Sequence, residues 1–98
     1  MKPEINAKKC FAVGCDAIIP RAQLMCRDHW ARVPSRVRME VLDTWRDWDR
    51  GGALRPYSLA TWRAQLAVAH AEHREPAETA IRAIIAELEK RQETPHAA

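Results

Sequence analysis

CFAVGCDAIIPRAQLMCRDHW, residues 10–30, is the stretch on which the reading of this chain turns. It holds all three cysteines, Cys10, Cys15 and Cys26, with His29 three residues after the last. The spacing is Cys-x4-Cys, ten residues, then Cys-x2-His. A short loop with Gly14 at its bend lets Cys10 and Cys15 turn their sulfurs toward one point. The first turn of a helix puts Cys26 and His29 on one face. Three thiolates and an imidazole suit a tetrahedral zinc ion. Four protein ligands with no carboxylate describe a closed structural site, whereas catalytic zinc keeps a position for water. An odd number of cysteines and a reducing compartment argue against disulfides. The expected cofactor is one structural Zn2+ per chain, held by Cys10, Cys15, Cys26 and His29.

Working outward, the segment around these ligands is short of large apolar residues, and a segment under ~40 residues usually needs a metal, disulfide or partner to fold. Structural zinc contributes ~10–16 kcal/mol of apparent binding energy in small fingers. Val13-Gly14 and Ile18-Ile19-Pro20 read as a turn and a short strand piece. A helical pattern runs from about Cys26 to Arg32, and Pro34 marks its end. Ser35 is placed to cap a second helix through Arg50, with Val37, Val41, Leu42, Trp45 and Trp48 as its apolar stripe. Gly51-Gly52 closes that helix. Residues 54–57 read as a linker, and Ser58 as the cap of a third helix whose face carries Leu59, Trp62, Leu66 and Ala69. Pro76 disfavours helical geometry at Glu75 and opens a fourth helix to about Gln92, with Ala77, Ile81, Ile84, Ile85 and Leu88 on one side.

The expected fold class is therefore mainly α: a small zinc-stabilised finger, a knuckle plus a helix start, followed by about three packed helices. In segments, residues 1–9 read as a flexible basic arm, 10–34 as the finger, 35–93 as the helical body and 94–98 as a disordered tail.

Charge is unevenly spread over the 98 residues. Residues 1–38 carry eight Lys/Arg against three Asp/Glu, while residues 39–98 carry eight against ten. A basic head on a mildly acidic body suggests an acidic partner for the head. Lys8, Lys9, Arg21, Arg27, Arg32, Arg36 and Arg38 are the candidate nucleic-acid contacts, acting through phosphates because no base-reading helix is evident. Asp16 and Asp28 interrupt that patch. The second reading is a protein-interaction module, with Ile81, Ile84, Ile85 and Leu88 docking on a partner helix or forming a homodimer through the C-terminal helix. An enzyme is not expected: the metal set is closed, and no phosphate loop, nucleophile elbow or carboxylate pair is present. His70-Ala71-Glu72-His73 lacks the spacing of the zinc-protease motif, so its histidines read as surface residues. The four tryptophans at 30, 45, 48 and 62 read mostly as core, with Trp48 partly exposed and Trp30 placed to shield the metal. No stretch approaches the ~20 apolar residues of a membrane span. The first residues lack a secretory apolar run, so a cytoplasmic location is expected.

The run from Cys10 to Trp30, with Cys26-Arg27-Asp28-His29-Trp30 its most specific part and Val33-Pro34-Ser35-Arg36-Val37-Arg38 following, resembles small zinc-finger proteins of phages and prophages. It is also similar to a treble-clef finger, with a knuckle and a helix start supplying two ligands each. The Cys10–Cys15 loop is longer than that fold's tight knuckle. The resemblance implies the same four zinc ligands. About activity it implies little: the basic head favours a regulatory finger that binds DNA or RNA, while phage-type proteins of this size often bind and modulate a host protein or nuclease complex.

Overall fold

The computed structural model describes residues 7–93. The expected tail at 94–98 and the first six residues of the expected arm lie outside the described residues.

Ala7–Lys9 forms strand β1 and Ile18–Pro20 forms β2. They pair antiparallel with Lys8 opposite Ile19. Residues 7–9 thus belong to the finger rather than to a basic arm. The reason is local: Cys10 N–H donates to the Ala17 carbonyl at 2.9 Å, extending the ladder and closing the loop that carries Cys15. Side chains alternate across a strand, so Ile19 is buried while Ile18 faces solvent. Helix α1, Arg27–Trp30, is one turn long and shorter than the pattern to Arg32 suggested. Arg32 and Val33 instead donate three residues back, to His29 and Trp30, tightening the chain toward Pro34.

Three longer helices follow: α2, Ser35–Asp49; α3, Arg55–Ala71; and α4, Glu75–Glu93. Neither expected serine cap forms. Pro34 occupies the cap of α2 and Ser35 is its first helical residue. Helix α3 begins at Arg55, so residues 55–57 are helix rather than linker and Ser58 lies inside the first turn. Pro56 suits that start, since its missing N–H falls where helix donors are unpaired.

Both reversals use the same device. After α2, Gly52 N–H donates to Asp47 O at 2.8 Å and Gly51 N–H to Trp48 O at 2.9 Å. Gly51 takes φ +99°. This is a Schellman cap, with the left-handed residue immediately past the helix. After α3, Arg74 N–H donates to Ala69 O at 3.0 Å and His73 N–H to His70 O at 3.1 Å. Here the left-handed residue is His73, at φ 58°. The break therefore falls at residues 72–74, just before Pro76.

Helices α2, α3 and α4 run alternately up and down. Trp48 at the end of α2 stacks on Tyr57 at the start of α3, with ring centroids 5.7 Å apart. Arg63 of α3 bonds Glu40 in the first turns of α2 and reaches Glu89 of α4 at 2.9 Å. His70 at the end of α3 meets Glu78 at the start of α4 at 2.9 Å. The core is continuous with the finger: Ala12, Ile19, Met25 and Val33 pack with Val41 of α2 and Ala60, Ala64 and Val68 of α3. Small residues on α3 let the finger and α2 approach its backbone closely. A second cluster joins Leu59 and Ala69 of α3 to Ile81 and Ile85 of α4.

Candidate metal centre

Cys10 leaves β1, Cys15 follows the bend at Gly14, and Cys26 and His29 bracket the first turn of α1. Gly14 has φ +77°, and a Cβ there would come within 3.1 Å of the Arg74 guanidinium. Its left-handed backbone calls for glycine, while the Arg74 side chain could shift to admit a Cβ. The Sγ atoms of the three cysteines and one imidazole nitrogen of His29 all lie within 4.8 Å of one another. His29 Nδ1 is 3.2 Å from Cys26 Sγ and 3.7 Å from Cys10 Sγ. The three cysteines form no disulfide. The four residues could together hold a metal ion.

The electrostatics divide Cys10 from Cys26. Burial pushes the Cys10 thiol up, but the backbone N–H groups of Cys26, at 3.2 Å, and Ala12, at 3.5 Å, point at its sulfur and oppose that shift. Cys26 is pulled down to about 7, chiefly by the backbone N–H of His29 and further by its ring. Oriented amides of this kind stabilise a bound thiolate without adding a competing cation.

Glu72 completes the centre. Its Oε2 lies 2.8 Å from His29 Nε2 and accepts from Arg32 at 2.6 Å, while Oε1 accepts from Arg74 at 3.0 Å. Only 16% of its side chain is exposed. Arg74, then His29 and Arg32, hold its carboxyl below the usual carboxylate range. An ionised carboxylate only accepts, so the His29 proton sits on Nε2 and Nδ1 presents its lone pair to the cysteines. A carboxylate behind a ligating histidine fixes ring orientation and raises ligand basicity. Sequence reading set the 70–73 segment aside because it failed the zinc-protease spacing. No sequence signal marks Glu72, because Arg32 and His29 come beside it only in the folded chain.

Several of the basic candidates are engaged with other groups. Lys9 pairs with Asp16 at 3.7 Å, and Arg32 is committed to Glu72. Lys8 sits beside Arg21, and burial together with that neighbouring charge loosens its proton. Arg38 donates to Ser35 Oγ at 3.1 Å. Arg27 and Arg36 are exposed on and beside α1 and α2. The expected docking stripe on α4 is mostly used internally. Ile81 and Ile85 are buried against α3, Leu88 packs beside them, and Ile84 remains exposed. A two-helix hairpin needs that face for itself, so it is not a ready surface for a partner helix or a second copy. The tryptophans also divide. Trp62 meets Phe11 edge-on at 5.1 Å and Trp30 packs beside the core, but Trp45 and Trp48 are about two-fifths exposed. Only Val41 of the α2 stripe is buried, because α3 and the finger cover one flank of that helix and no described element covers the other.

Comparison with protein-family descriptions, with curated proteins and with solved structures returns no match. No helix among the described residues is long and apolar enough to cross a membrane.

Proposed function

We propose that this chain is a non-catalytic, zinc-stapled interaction module whose finger and second helix together form a face for another protein. Zinc is the ion that the donor set suits best. Three sulfurs and one nitrogen favour a borderline-soft tetrahedral cation and leave no position for water. Bonds of about 2.3 Å to sulfur and 2.0 Å to nitrogen place sulfur and nitrogen roughly 3.5 Å apart, and two sulfurs roughly 3.8 Å apart, in a tetrahedron. The 3.2 and 3.7 Å separations of His29 from Cys26 and Cys10 bracket the first value, and the four donors, all within 4.8 Å of one another, need only small shifts to close on an ion. Bound there, zinc would supply structure, tying β1, the Gly14 loop and α1 together.

One observation carries the choice of partner. A cavity of about 590 Å3 opens between finger and body. Leu24, Met25 and Trp30 line it from the finger, and Val41, Leu42 and Tyr57 from the helices. An exposed apolar surface continues along α2 through Trp45 and Trp48. Contiguous apolar surface of this kind marks contact sites for proteins. With Lys9 and Arg32 already paired to carboxylates, the basic head offers less to phosphates than its composition suggested. The phage-type resemblance makes a host protein the natural source of the partner.

The test places a photo-crosslinking amino acid at position 48 and irradiates the zinc-loaded chain in an extract of its source cells, with and without nuclease. A discrete protein adduct indifferent to nuclease is the expected result. In parallel, labelled duplex and single strands are titrated at about 0.15 M salt, where phosphate contacts are neither exaggerated nor abolished. Tight binding of any strand, or an adduct lost on nuclease treatment, would replace this reading with the nucleic-acid one.

A further inference from the structure

The cavity between finger and α2 also carries information about what enters it. Two cations, Arg27 and Arg38, stand among its lining residues, and no carboxylate does. Arg38 bonds the neutral Ser35 hydroxyl, and no carboxylate among the described residues pairs with either guanidinium. The floor is apolar, with Met25 and Val41 almost fully buried beneath Leu42 and Trp45. From buried Val41 out to Trp48 the apolar strip rises seven residue steps along α2, about 10 Å along the helix axis. A small apolar acid would fill the cavity but leave Trp48 and the outer flank of α2 uncovered.

Resting on the reading of this chain as a protein-binding module, we propose that the groove receives an acidic amphipathic helix of the partner. Two turns of such a helix span the same 10 Å or so, and anchors at i, i+3 or i+4, and i+7 are what a hydrophobic groove selects. Its apolar anchors enter between Leu24 and Leu42 and lie against Trp45. Glutamate or aspartate beside those anchors meets Arg27 and Arg38 in charge-assisted, forked hydrogen bonds. The finger supplies one wall and α2 the other, so the groove exists only when the metal centre holds α1 in place.

The test uses the full zinc-loaded chain to select from a displayed library of random peptides about sixteen residues long, enough for four turns. Counter-selection uses Leu42→Asp, which alters an exposed residue and is first checked for unchanged zinc content and helicity. Enriched peptides should carry apolar residues at helical spacing and a clear excess of Asp and Glu. A selected peptide, followed by fluorescence anisotropy, should bind Arg27→Gln/Arg38→Gln about ten-fold more weakly. Its all-glutamine counterpart should bind both proteins alike. Enrichment of basic or non-helical sequences, absence of enrichment, or equal binding of the acidic and neutral peptides would overturn the proposal. So would a Leu42-dependent dimer in sedimentation, or binding of labelled single strands that Leu42→Asp abolishes. The photo-adduct is read independently: a protein adduct without acidic-helix selection rejects the helix and leaves the interaction module standing.

Discussion

Glu72 shows how much one residue contributes when it is placed behind a ligand. It reaches the metal centre from 43 positions away, and two arginines hold it ionised against His29. Losing its carboxylate leaves the imidazole free to rotate and to carry its proton on either nitrogen. Glu72→Gln should therefore weaken metal retention about 10–100-fold while leaving the helices intact. Competition with a chromophoric chelator measures this, and Glu87→Gln, on the exposed side of α4, serves as the control with no expected effect. Equal retention in both variants would mean that Glu72 merely decorates the surface. The four residues that could hold a metal ion were legible because their chemistry is written in residue type and local spacing. Glu72 was not, because its role arises only where α3 turns back beside the finger.

At the scale of elements, the helices were readable and their ends were not. Apolar periodicity located all three long helices. The expected caps at Ser35 and Ser58 failed because Pro34 and Pro56 set the backbone entry instead. The second reversal was hidden for a different reason: its left-handed residue is His73, and a histidine gives no sequence sign of positive φ. A side chain in that region costs about 1–2 kcal/mol relative to its preferred conformations. His73→Gly should relieve part of it and raise stability by about 0.5–1 kcal/mol in chemical denaturation, after the entropy of glycine is counted. His73→Val should lower it. The α4 stripe offers a second measurement. Ile85 is buried against α3 whereas Ile84 faces outward. Ile85→Ala should cost about 2–4 kcal/mol, and Ile84→Ala under about 1 kcal/mol. Equal costs would contradict the observed rotation of the helix.

For the whole molecule, the finger is part of the core rather than an appendage. Phe11 illustrates the coupling: Gln65 bonds its carbonyl from within α3, and its ring packs on Trp62. Met25 and Val33 extend the same contact toward α2 and α3. Sequence reading separated finger from body because metal spacing and helical periodicity are different signals, and neither reports that two segments share a core. The groove was equally unreadable, since Leu42 and Trp45 look like core residues in sequence, whereas the fold leaves their flank of α2 uncovered by any described element. The proposed zinc site would make metal binding, folding of the finger and assembly of the groove one linked equilibrium. The most direct test is native mass spectrometry of the freshly purified chain, paired with near-ultraviolet circular dichroism during chelation. The expected result is one zinc ion per chain, with loss of the tryptophan signal as zinc is removed and recovery when it is restored. Absence of metal, or an unchanged tryptophan signal in the fully metal-free chain, would contradict the account.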